Sequence, residues 1–233
     1  MEKERIWELD FLRGIFILCV IIIHGIFDAQ VFLDWDFNPP AVYDFIQYNG
    51  GILFILLSGI CITLGRHFLK RGAIVFACGI LVSAVLKIMV QLNFMDDSAL
   101  IYWGILHLLG FCMLTYVFFK HFPTWLLGIF GVAFIVLGFY MESLTPDTMW
   151  LCPLGLIPYG FATGDFFPIF PYWGWFILGI ALGRILYKEK KSLLPKFPYR
   201  AWPIRAISFC GRHSLWIYLG HQPILYGIMM LFA

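Results

Sequence analysis

Three side chains near the start of the chain are spaced to act together. Arg13 and His24 are eleven residues apart, close to three turns of α-helix, and Asp28 lies one turn further on. All three leave the same helix face, with the cation and the imidazole roughly 16 Å apart along the axis. A neutral histidine can take a proton from an attacking hydroxyl or amine. A carboxylate beside it can orient the ring and stabilise its charged form. The planar fork of an arginine suits a phosphate. Such groups inside an apolar span are costly in lipid and are functional candidates by default.

The elements that must position them are membrane helices. The 233 residues are 61% hydrophobic, 19% aromatic and only 13% charged, against about 25% charged in an ordinary soluble domain. No polar stretch is long enough for a large soluble domain. About seven apolar runs qualify as spans: 10–32, 44–65, 71–91, 99–118, 124–140, 172–187 and 204–232. Pro223 is the expected bend in the last. Lys3, Arg5 and Arg13 open the first run; Arg66, Lys70, Arg71, Lys120 and the Lys188–Arg200 cluster fall in alternate connections. The intervening loops hold only acids: Asp34, Asp36, Asp96, Asp97, Glu142, Asp147 and Asp165. Lys/Arg bias sets topology, so the N-terminus is placed inside. The expected fold is an all-α, polytopic membrane helix bundle forming a single domain over residues 1–233. Residues 141–171 are rich in Pro, Gly and aromatics, and are expected to form a partly re-entrant outer segment buried in protein or lining a cavity. The acids within MEKERIWELD, and the lack of a small-residue cleavage site after the first apolar run, argue against a cleavable signal. The six cysteines are scattered without a CxxC pair, so they read as apolar fillers and no metal site is expected.

This topology assigns a depth to each polar group. His24, Asp28, Asp44, Lys87, Trp103, His107, His221 and Gln222 fall in the outer half. His24, Asp28, Asp44 and His107 are the catalytic candidates; Trp103, Asp165, His221 and Gln222 are the acceptor-binding candidates. His107 or Trp103 could donate to an oxyanion. Arg13, Arg66, Arg184, Arg205, Arg212, His213 and Ser214 fall on the inner side, and all but Arg66 are candidates for a phosphorylated ligand entering from the cytoplasm. Ser58-Gly59 and Gly211 would let a thin chain pass close to the backbone. Acyl-coenzyme A has the matching shape, with phosphates at one end and a thioester at the other.

Five blocks then carry a resemblance: RIWELDFLRGIFILCVIIIHGIFD, GILFILLSGICITLGR, YWGILHLLGF, PLGLIPYGFATGDFFPIFPYWGWFILGIALGR and GRHSLWIYLGHQPIL. In order and over nearly the whole chain they resemble bacterial members of the heparan-α-glucosaminide N-acetyltransferase catalytic-domain family (the DUF1624 group), distantly similar to the acyltransferase-3 proteins. The resemblance implies acetyl transfer from cytoplasmic acetyl-coenzyme A to an amino sugar or other glycan acceptor on the far side of a bacterial cell membrane. The implied partners are the donor, the sugar acceptor and membrane lipid, with no nucleic acid; a homodimer is left open. One departure stands out. Lysosomal members place their catalytic histidine shortly after the first span, whereas residues 29–43 here contain none. The assignment to His24 therefore rests on geometry.

The competing reading is a small-solute or proton-coupled transporter, whose proton relay could use the same His, Asp and Lys. The chain shows neither the internal symmetry nor the paired broken helices common in transporters. A haem-binding bundle with paired histidines is a third reading.

Overall fold

The computed structural model of the chain describes residues 6–33, 35–36 and 38–232. Lys3, Arg5 and Asp34, used above for loop charge, lie outside the described residues. Among the latter the structure is helical, with eight α-helices: α1 (Trp7–Leu33), α2 (Ala41–Ile62), α3 (Phe68–Gln91), α4 (Ile105–Phe119), α5 (Thr124–Glu142), α6 (Ile169–Leu186), α7 (Trp202–Arg212) and α8 (Ser214–Met229). Short 3₁₀ turns occupy Asp97–Ala99 and Met149–Leu154. Five helices, α1, α2, α3, α5 and α6, are long and apolar enough to cross a membrane; α4 is a shorter apolar helix. The polytopic all-α class expected from composition is what forms.

The chain makes two compact units, one of Met1–Phe54 with Tyr187–Ala233, the other of Ile55–Leu186, so that the boundary falls within α2. In the second unit α3 pairs with α4 and α5 with α6. Both pairs are antiparallel: Gly72 meets Leu114 where Gly79 meets His107, and Gly131 meets Gly174 where Gly138 meets Pro171. The C-terminal half of α2 runs parallel to α6, with Gly59 against Gly179 and Ile60 against Gly183. These directions agree with the alternating loop charges, which make the second and sixth spans descend together.

Lipid tails are as apolar as leucine, so burial drives helix pairing weakly in a membrane, and close contact of small residues takes over. The Gly59 crossing shows this: a Cβ there would collide with the Phe176 carbonyl. Around it lie the fully buried Ile55, Phe176, Ile177 and Ile180. Trp173 gathers the rings of Phe111, Phe119 and Phe134 at centroid distances of 5.1, 5.3 and 4.9 Å.

In the first unit α1 packs on both α7 and α8. The single seventh span expected over 204–232 is divided. Helical geometry lapses at His213 (φ −105°, ψ 15°), and α7 and α8 lie to either side. Pro203 fits the first turn of α7, where a missing N–H costs nothing, and Pro223 sits inside α8. The division follows from packing. Gly211 lies so close to α1 that a Cβ would strike the Asp10 carbonyl, while Gly14 abuts Ile207. Charge also separates the two segments, since α7 carries Arg205 and Arg212 whereas α8 has no Lys, Arg, Asp or Glu.

Residues 143–168 are irregular apart from one 3₁₀ turn, as anticipated for an outer segment of unusual backbone. Their anchorage is backbone to backbone: Gly164 N–H donates to the Leu100 carbonyl (3.1 Å) and Phe167 N–H to that of Trp103 (3.0 Å). Thr163 Oγ1 adds a bond to Leu100 (2.6 Å).

Two glycines, one on α2 and one on α5, should respond oppositely to a methyl group. Gly59→Ala must force α2 and α6 apart, at a cost of about 1–3 kcal/mol. Gly128→Ala, whose Cβ would meet nothing within 4 Å, should be neutral or stabilising by about 0.5–1 kcal/mol. Thermal unfolding of the purified variants in detergent measures both.

Candidate functional site

The first unit places polar contacts between α1 and α8 at two separate levels, which together form a seam. At its base Arg13 Nη2 donates to Ser214 Oγ at 3.0 Å. Three turns along α1, His24 Nδ1 lies 3.0 Å from Gln222 Oε1 and 3.0 Å from His221 Nε2. One turn further, Gln222 Nε2 donates to both carboxylate oxygens of Asp28 at 3.1 Å. His221 Nδ1 closes the chain on the carbonyl of Tyr218, three residues earlier in α8. Asp28 and His221 are buried, at 2% and 7% exposure; His24 and Gln222 are half-buried. Both members of each pair rise in residue number together, so α1 and α8 run parallel, as the first and last spans of an odd-numbered bundle must.

The local sequence explains the seam. On α1, residues 13, 24 and 28 share a face, and on α8, Ser214 and His221 are seven residues apart, two turns. Polar side chains in an apolar setting gain most by finding each other, because an unpaired buried donor or acceptor costs about 1–3 kcal/mol. Arg13 thus meets Ser214 at one level of the helix pair, and His24, Asp28, His221 and Gln222 meet at another. Asp44 is not part of this network; it stands exposed in the first turn of α2.

On the side where α1 begins, Arg205, Arg212 and His213 are exposed. Arg212 lies over the Phe209 ring at 5.7 Å, and His213 Nδ1 donates to the Phe209 carbonyl at 3.0 Å. The linker before α7 is fastened to the start of α1. Glu8 accepts from Ser192 Oγ (2.9 Å) and Leu193 N–H (2.7 Å), and Trp7 stacks on Phe197 at 5.1 Å. Sequence reasoning missed Glu8. The available signal was an acid at the mouth of a span on the basic side of the topology.

The second unit holds the other candidates, and several have structural duties there. His107 is buried in the first turn of α4, where its Nδ1 accepts from Gly104 N–H at 3.3 Å. Its ring stacks with Trp103 at 5.6 Å. Trp103 Nε1 is buried without a hydrogen-bond partner, which leaves a donor for an acceptor oxygen. Asp165 Oδ2 accepts from Ile105 N–H at 2.9 Å, at the α4 N-terminus, where orphan N–H groups favour a carboxylate. Arg184 serves the opposite end of the helix. Its guanidinium donates to the carbonyls of Phe119 (3.2 Å), Lys120 (2.9 Å) and Phe122, closing the C-terminal end of α4. Ser58 and Gly59 are buried on α2, and the space expected to pass a thin ligand at Gly59 is filled by the backbone of α6. Gly211 is closed in the same way by α1. Lys87 is exposed, close to the end of α3.

An ionisable seam inside an apolar helix pair of a polytopic membrane protein is a functional-site candidate by default. A protein-family model described as the catalytic part of heparan-alpha-glucosaminide N-acetyltransferase matches residues 5–223, which takes in every member of the seam. The chain belongs to that family, a family of membrane acetyltransferases. No curated protein and no solved structure matches it.

The capping role of Asp165 is separable from a ligand role. Asp165→Ala should destabilise the protein by about 0.5–2 kcal/mol, as loss of an N-cap does, while Asp165→Asn keeps an acceptor and most of the stability. An Asp165→Asn protein that melts like wild type but has lost activity would support the acceptor-binding role.

Proposed function

We propose that this protein transfers an acetyl group from acetyl-coenzyme A, taken from the cytoplasm, to an amino sugar or related glycan acceptor on the far side of a bacterial cell membrane. The whole chain is read as one catalytic domain, because the family match runs through both compact units. The observation that carries the proposal is the seam. Arg13 and His24 are anchored to the same partner helix at two levels, through Ser214 below and His221 with Gln222 above.

The residues suit the donor. Arg205 and Arg212 offer exposed cations beside the α1 mouth, with the His213 ring next to them, and Arg13 spends one nitrogen on Ser214, which leaves most of its five donors for an anion. These groups would hold the phosphates of the coenzyme, whose thioester supplies the activated acetyl group. Gly59 and Arg184 are left out of this set for the reasons given above. His24 accepts the proton that the acceptor amine or hydroxyl loses as its bond to the acetyl carbon forms, and returns it to the coenzyme thiolate released when the C–S bond breaks. Asp28 stabilises the charge that develops on the ring, acting through Gln222 rather than by direct contact. Asp28, Ser214 and His221 are buried between α1 and α8, where a lower dielectric strengthens their polar interactions.

Two substitutions separate the roles. With acetyl-coenzyme A and glucosamine as trial acceptor, His24→Ala should lower kcat by about 10²–10⁴-fold, the range of general-base catalysis. Arg212→Ala should raise KM for acetyl-coenzyme A and leave kcat nearly unchanged, as expected for a group that binds ground and transition states alike. Unaltered transfer by the His24 variant would remove the mechanism.

A further inference from the structure

The hydrogen bonds around His24 have a direction, which can be read from groups that play one part only. A backbone carbonyl accepts and never donates, so the His221 nitrogen facing the Tyr218 carbonyl, Nδ1, carries a hydrogen. A neutral imidazole holds one such hydrogen, so His221 Nε2 is bare and accepts. It faces His24 Nδ1 at 3.0 Å. From the other side, the Asp28 carboxylate is acceptor-only and touches one terminal atom of Gln222 with both oxygens, at 3.1 Å each. That atom is therefore the amide nitrogen, and the amide oxygen is turned toward His24 Nδ1, again at 3.0 Å. Two acceptors converge on one ring nitrogen, so that nitrogen must hold the hydrogen, shared between them in a three-centre bond.

We infer that Asp28, Gln222 and His221 form a tautomer lock, which holds neutral His24 with its hydrogen on Nδ1 and leaves Nε2 as the base nitrogen. Gln222 and His221 are thereby positioning residues, not contacts for the acceptor as their depth alone suggested. The lock draws on both ends of the network. Asp28 fixes the sense of the Gln222 amide from one side; the Tyr218 carbonyl fixes the His221 ring from the other. A histidine orients through the partner of its second nitrogen, and here that nitrogen has two partners supplied by successive residues of α8. The catalytic consequence rests on the proposed base role of His24; the tautomer itself does not.

The test reads the two apart. Full-length protein carrying ring-¹⁵N histidine is reconstituted in lipid nanodiscs, and the His24 signals are assigned by their loss in His24→Ala. Wild type should show a protonated Nδ1 and a bare Nε2 for His24 at a pH where the ring is neutral. Asp28→Asn frees the Gln222 amide to turn its NH₂ toward His24, and an Nε2–H population should appear. Acetyl transfer by that variant should fall by about 10²-fold in kcat, with KM for acetyl-coenzyme A unchanged. A wild-type His24 with Nε2–H as its main form overturns the lock, and needs no variant to fold. So does an Asp28→Asn spectrum with the tautomer unmoved. A shifted tautomer with undiminished transfer upholds the lock and overturns the base role of His24.

Discussion

Everything in the first unit follows from one constraint: polar side chains on an apolar helix must meet partners on the helix beside it. The α1–α8 seam satisfies that constraint at two levels, through Arg13–Ser214 and through the His24–His221–Gln222 cluster with its Gln222–Asp28 contact. Each contact fixes the helix pair in register, because sliding one helix by a turn would strand several buried groups at once. The groups with chemical potential are therefore also the groups that align the helices. An arrangement of this kind is rigid where a catalytic ring needs rigidity, since its rotamer is held by hydrogen bonds on fixed elements.

The second unit is built on a different principle. Its helices approach through glycine crossings, Gly59 on Gly179 and Gly131 on Gly174, and through an aromatic cluster around Trp173. Its polar side chains mostly serve helix ends. Asp165 caps the start of α4 and Arg184 closes its finish, so that a helix shorter than the rest has both termini satisfied by side chains from elsewhere in the unit. Trp103 Nε1 and Trp173 Nε1 stand apart from this economy as buried donors without a partner.

The all-α class and the first six helices were legible because apolar runs and loop charge are long-range, repetitive signals. So was the shared α1 face of Arg13, His24 and Asp28, which is read directly from residue number, though not the helix that would meet it. Three things were not. The division of the last span at His213 depends on how closely Gly211 approaches α1, and a glycine in a helix carries no mark of what faces it. The duties of Arg184 and Asp165 belong to tertiary capping, where a charged side chain reaches a helix end distant in sequence. The partners of His221 and Gln222 depend on which atoms face which, a matter of side-chain geometry that depth cannot supply. Burial of Asp28 and exposure of Asp44 illustrate the same limit: two acids at similar inferred depth, of which only Asp28 belongs to the seam.

The central claim is that a donor bound at the Arg13 end serves an acceptor at the His24 end, on opposite sides of one membrane. Proteoliposomes with a known orientation test it directly, with acetyl-coenzyme A confined to the side bearing the Arg13 end and glucosamine to the other. The account predicts acetylated sugar only on the side opposite the donor. Product formed solely when donor and acceptor share one compartment would contradict it.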